Sequence, residues 1–126
     1  MTPAPSGGTW RWTGEHAERP WGYYIVLIED RGYKVKQFVV RPGKRLSLQK
    51  HGRRSEHWFV VRGDALVMRD GETMRRAAGE SVDIPLGAVH RVESLGPEDL
   101  VIVEIQRGDY LGEDDIERFE DDFGRA

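Results

Sequence analysis

Gln49, His51 and Glu56, joined from far along the chain by His90, are four side chains whose nitrogen and oxygen atoms could hold one metal ion. Gln49 and His51 are two residues apart, so on an extended strand both project from the same face. Glu56 follows across a short turn. His90 comes shortly after Pro85 and Gly87, which end one strand and turn the chain into the next. An ion held this way acts as a Lewis acid on an incoming oxygen. Gln49 would bind it through the amide oxygen, a neutral ligand that keeps the ion more electrophilic than a second carboxylate would.

The elements that must position these residues read as short strands. WGYYIVLI, YKVKQFVV, LSLQK, HWFVVRG, ALVMR, ETMRR, SVDIP, AVHRV and LVIVEIQ are apolar or alternating runs separated by Gly and Pro signals. Such spacing predicts an all-β sandwich or barrel rather than a parallel sheet with crossover helices. A short C-terminal helix is predicted in GEDDIERFEDDFG, where Ile116, Phe119 and Phe123 fall at helical spacing, acidic residues occupy the first turn and Gly124 ends it. Residues 1–19, rich in Pro, Gly and Ser, read as a flexible leader, and residues 20–126 as the barrel domain.

A chain of 126 residues with no cysteine is one domain with a real core. It has neither disulfides nor thiolate metal sites, which suits a reducing cytoplasm. No apolar stretch approaches the roughly 20 residues of a membrane helix, and MTPAPSGGTWRW lacks the regions of a secretory signal. Net charge is −3, but residues 31–76 carry 13 of the 19 Lys and Arg, while residues 98–126 carry 11 of the 22 Asp and Glu. A basic middle without a recognition helix, zinc finger or aromatic platform argues against nucleic acid and for an anionic small molecule. For most of the individual arginines, the solvated outer face of a strand is an equal reading.

The spacing of Gly43, Gln49, His51, Glu56 and Gly63 resembles the first motif of the cupin superfamily, and Gly79, Pro85, Gly87 and His90 resemble the second. The resemblance implies a double-stranded β-helix, a jelly-roll-like barrel binding one divalent metal ion (zinc, manganese, iron, cobalt or nickel) through Gln49, His51, Glu56 and His90. More narrowly, LSLQKHGRRSEHWFVVRG is similar to the LSLQxHxxRxEHWxVVxG signature of type II mannose-6-phosphate isomerases, with RPWGYY, YKVKQFVVRPG and the tail EIQRGDYLGEDDIERFEDDFGR extending the likeness over residues 19–125. Here Gly52, Arg53, Lys50 and Ser94 depart from the family pattern. In that family the domain usually follows a nucleotidyltransferase domain that makes GDP-mannose. No Gly-rich nucleotide loop precedes the barrel here, so the chain reads as the isomerase-like part alone.

The activity implied by the resemblance is interconversion of mannose 6-phosphate and fructose 6-phosphate, feeding polysaccharide synthesis, with a sugar phosphate as the small-molecule partner. That enediol route removes a proton next to a carbonyl while the ion polarises the oxygen. Arg54 matches the signature arginine and is expected in catalysis, either gripping the phosphate or stabilising the enediolate. Lys36, Arg53 and Arg91 are further phosphate candidates. Glu104 shares a strand face with Gln106, so it either lines the barrel as a base or sits outside it. Lys50 is a second candidate base. The rival readings are a metal-binding cupin with another activity, such as an oxygenase or a different sugar-phosphate isomerase, and a non-enzymatic sugar-phosphate-binding module.

His57 follows Glu56 directly and should face the opposite side of its strand, while His16 falls in the leader, exposed. Trp21, Tyr23, Trp58 and Phe59 are expected to pack sheets or a dimer interface. Trp10 and Trp12 are costly to leave in water, so the leader should dock on its own barrel or on a neighbouring subunit. Covering a sheet edge this way also makes a homodimer the expected assembly.

Overall fold

Alternation of side chains along short strands puts one apolar face of each against its counterpart, and this pattern builds the molecule in a computed structural model that describes residues 11–126. Eleven strands run in chain order: β1 Arg11–Arg19, β2 Gly22–Asp30, β3 Tyr33–Val40, β4 Leu48–Lys50, β5 Arg54–Arg62, β6 Asp64–Arg69, β7 Glu72–Ala77, β8 Ser81–Ile84, β9 His90–Ser94, β10 Leu100–Gly108 and β11 Glu117–Glu120. One sheet has the order β1-β2-β3-β10-β5-β8 and the other β11-β4-β9-β6-β7, with antiparallel pairing throughout. No helix occurs among the described residues, and none is long and apolar enough to cross a membrane.

Between the sheets the barrel is apolar at one end and polar at the other. Phe38, Val40, Trp58, Val60, Val67, Val92, Leu100 and Ile102 are buried against one another, with Trp21 and Trp58 both edge-on to Phe38. The same inward faces then continue as Lys36, Glu56, Glu104 and Gln106, all buried, because register sets Glu104 opposite both Lys36 and Trp58, and Gln106 opposite Glu56. The polar residues therefore lie inside the barrel by strand geometry.

Gly63 turns the chain from β5 into β6 at φ +92°, and a Cβ there would lie 2.7 Å from the Asp99 carbonyl oxygen and 2.8 Å from Leu100 Cα. Both neighbours are backbone and cannot swing away. Gly63→Ala is expected to destabilise the fold by about 1–3 kcal/mol, read as a lowered urea midpoint; an unshifted midpoint would contradict this account.

Two sequence expectations are corrected. The C-terminal helix is absent: residues 117–120 form β11, pairing Glu117 with Lys50, Arg118 with Gln49 and Glu120 with Leu48. A lone helix of this length is marginal in water. Here the acidic run is committed elsewhere, since the Asp115 carboxylate accepts from the Gly52 and Arg53 amides at 3.0 Å each, and Tyr110 donates to Asp114. Of the three apolar residues, Ile116 and Phe123 are half-buried and Phe119 is exposed. The second correction concerns the leader, whose residues 11–19 form β1 along β2, with Trp12 opposite Ile28 and half exposed. Residues 1–10, and so Trp10, lie outside the described residues.

Candidate metal centre

The two sheets each deliver part of one site. Glu56 comes from β5 in the first sheet; Gln49 and His90 are cross-strand partners on β4 and β9 in the second; His51 directly follows β4. All four are buried. His51 Nε2 lies 3.3 Å from Glu56 Oε2, and His90 Nε2 lies 3.6 Å from Glu56 Oε1. The three groups offer ligand atoms all within 4.8 Å of one another. Ligands about 2.1 Å from a shared ion sit about 3.4 Å apart in a tetrahedral arrangement, a spacing that each imidazole–carboxylate contact approaches.

Tautomers agree with that use. Backbone carbonyls accept from both rings at Nδ1, Asp115 O for His51 at 2.7 Å and Ala88 O for His90 at 2.9 Å, which leaves both Nε2 lone pairs turned to the centre. Gln49 Nε2 donates to Ser47 O and Oγ, both at 3.1 Å, so the carbonyl oxygen is the atom it can offer as a ligand. Arg54 lies across the same group, with Nε donating to Glu56 Oε2 at 2.9 Å and Nη2 lying 3.3 Å from His51 Nε2. Its Nη1 is buried with no hydrogen-bond partner among the described residues.

Burial, helped by the Arg54 guanidinium, pushes the His51 imidazole down to about 4, and burial lowers His90 as well. Both rings are therefore neutral near neutral pH, the state in which an imidazole can ligate a metal. Because the folded value of His51 lies below the ordinary 6.5 of an imidazole, its contribution to stability is complete above 6.5 and disappears as pH falls toward 4. The loss is on the order of 3 kcal/mol. The metal-free protein should thus show a urea midpoint that falls over this window more steeply than in a His51→Gln variant; parallel profiles would refute the assignment.

Glu104 closes the inner wall. Trp58 Nε1 donates to Glu104 Oε2 at 2.8 Å and to Glu56 Oε1 at 3.2 Å, bridging the two carboxyl groups, and Gln106 Nε2 donates to Glu104 Oε1 at 2.7 Å. Burial first, then the neighbouring Glu56 charge, raises the Glu104 carboxyl above the usual carboxylate range. Two buried carboxyl groups thus share one indole donor inside the barrel.

The other expected residues divide. Lys36 lines the pocket, 4.0 Å over the Tyr24 ring and paired with Glu113. Arg53 does not: it is exposed, forked onto Asp109 at 3.1 Å and stacked on Tyr110. Arg91 points away because it neighbours the inward His90 on the same strand; its Nε donates to Leu46 O at 3.0 Å and its Nη1 lies 3.7 Å from Glu120. Lys50 flanks Glu117, outside the pocket. His57 faces outward onto Asp83, and His16 is exposed against Tyr23. Sequence reasoning did not single out Arg19, Tyr24, Glu113, Arg118 and Arg125, which also line the pocket. They come from both ends of the described chain, and only the pairing of β1 and β11 with the barrel brings them there.

The sequence profile of the family described as "Mannose-6-phosphate isomerase C-terminal" matches residues 11–121. The chain belongs to that family. The alginate biosynthesis protein AlgA of Pseudomonas aeruginosa is 48% identical over 116 residues, covering 90% of this chain and 24% of the relative. The mannose-1-phosphate guanylyltransferase ManC of Salmonella typhimurium is 47% identical over 108 residues, covering 86% of this chain and 22% of the relative. This member of the family therefore spans about a quarter of the length of the curated relatives it matches. The cupin domain of Cnp3 from Schizosaccharomyces pombe superposes with a TM-score of 0.67 at 12% identity, covering 69% of this chain and 64% of that one, so the barrel has the cupin fold.

These names correct the functional expectation. Interconversion of mannose 6-phosphate and fructose 6-phosphate was implied as the activity of this chain, with other cupin activities as rivals. The relatives are named instead for guanylyl transfer to mannose 1-phosphate and for alginate biosynthesis. What stands is an isomerase-like cupin domain related to enzymes of mannose and alginate metabolism.

Proposed function

We propose that this chain is the metal-binding unit of a mannose-activating enzyme system that serves polysaccharide synthesis. Its pocket holds a phosphorylated sugar at a divalent ion and transfers a proton there. The observation that supports this reading most is the meeting of the two neutral imidazoles and the Glu56 carboxylate directly beside the buried Glu104 carboxyl.

Gln49, His51, Glu56 and His90 would hold the ion. When bound, it supplies Lewis acidity toward a sugar oxygen and stabilises negative charge developing there. Every further task falls to the chain. Trp58 fixes Glu56 and Glu104 relative to each other through its bridging N–H. Glu104, its carboxyl shifted by burial toward the protonated form, would carry the proton. Arg54, tied to Glu56, keeps one edge of its guanidinium free for an oxygen of the ligand.

Calorimetric titration of the chain with zinc or manganese, followed by mannose 6-phosphate or mannose 1-phosphate, tests the reading. One ion should bind per chain, and a sugar phosphate should raise the melting temperature only of metal-loaded protein. Failure of both metals to bind, or equal stabilisation by the sugar phosphates after chelation, would overturn it.

A further inference from the structure

The pocket is charge-segregated. Its buried floor holds the carboxyl groups of Glu56 and Glu104, and its more exposed rim carries Arg19 at the end of β1, Arg118 on β11 and Arg125 near the C-terminus. These three arginines are near enough that Arg125 and Arg19, after burial, push the Arg118 guanidinium down. Their countercharge is incomplete. Arg125 forks onto Asp121 at 2.7 and 3.0 Å, whereas Arg19 donates to neutral acceptors, the Glu18 carbonyl at 2.8 Å and the Tyr24 hydroxyl at 3.2 Å. Arg118 Nε is buried with no hydrogen-bond partner among the described residues.

A donor buried without an acceptor is costly, and so are like charges gathered around it, unless a ligand supplies what is missing. The missing group is an anion with several acceptor oxygens. A phosphate monoester has the charge and the oxygens to accept from several guanidinium groups at once, where a carboxylate brings a single charge.

We propose that Arg19, Arg118 and Arg125 form the phosphate subsite of the pocket, holding the phosphate at the rim while the sugar oxygens reach the metal ligands at the floor. The inference rests on the reading that the pocket takes a phosphorylated sugar, and adds where the phosphate is held. It also gives the C-terminal segment a binding role, since β11 and the residues after it supply two of the three cations.

The test titrates the metal-loaded chain with inorganic phosphate, mannose 6-phosphate and glucuronate, in wild type and in Arg118→Gln, Arg125→Gln and Arg118→Lys variants. Loss of a charged hydrogen bond predicts about 10-fold or greater weakening of both phosphate probes in the glutamine variants, a smaller loss in Arg118→Lys and unchanged metal affinity. Mannose 6-phosphate bound equally by wild type and all variants would overturn the subsite and leave the functional reading in place. Binding of metal but of neither phosphate probe would overturn both, as would glucuronate bound more tightly than either. Should the glutamine variants fail to fold by circular dichroism, phenylglyoxal labelling of the wild-type protein decides: phosphate must protect Arg118, and unprotected labelling refutes the subsite.

Discussion

Glu56→Gln is expected to abolish metal binding at stoichiometric concentrations, lowering affinity by about 100-fold or more, since second-sphere changes alone cost 10–100-fold. Glu56 is the only anionic member of the proposed ligand set: His51 and His90 are held neutral and Gln49 is an amide. Its two oxygens face one imidazole each, at 3.3 and 3.6 Å. The same carboxylate neutralises buried Arg54 at 2.9 Å. Breaking a buried pair by removing one charge ordinarily costs about 3–5 kcal/mol. The loss here should be smaller, because the Glu56 charge is among the causes that raise the Glu104 carboxyl while Arg54 lowers it. With the Glu56 charge gone, Glu104 can ionise and partner Arg54. A double-mutant cycle with Glu104→Gln should therefore show more than additive destabilisation in urea. Full metal stoichiometry in Glu56→Gln, by calorimetry and elemental analysis, would remove the metal centre.

Glu104→Gln should separate chemistry from binding. Gln106 Oε1 is buried without a hydrogen-bond partner among the described residues, so its amide can rotate to accept from the new glutamine, while the other end still accepts from Trp58. Because burial favours the neutral form of Glu104, the substitution keeps the shape without stranding a charge, and stability should change by less than about 1 kcal/mol. What disappears is the ionisable proton. Deuterium incorporation from heavy water into a bound phosphorylated sugar is expected to slow by about 10²–10⁴-fold, the usual worth of a positioned general acid or base. Metal content should be unchanged. Exchange at the wild-type rate would take Glu104 out of the reaction, and loss of metal would make it a structural support of the centre.

Much of the site was legible because strand alternation is a local rule. Gln49 and His51 share a face at a spacing of two, and the same rule sends His57 outward beside Glu56 and turns Arg91 away from the pocket next to inward His90. Glu104 was ambiguous for a related reason. Alternation pairs it with Gln106 but does not say which face of β10 meets the core, and here the polar face does, while Ile105 is exposed. The failed helix shows the converse. Ile116, Phe119 and Phe123 satisfy a helical spacing, yet the open edge of three-residue β4 offers backbone partners that a short helix cannot match.

By itself the sequence determined the many short strands, their turns, and the local spacings that place ligating side chains on common faces, because these depend on backbone geometry within a few residues. Tertiary structure alone decided that Glu56 from one sheet meets His51 and His90 from the other, that Glu104 is enclosed and its carboxyl raised by burial, and that Arg19, Arg118 and Arg125 line one pocket. Those outcomes depend on sheet packing and on desolvation, and both arise only when residues distant in the chain exclude water together.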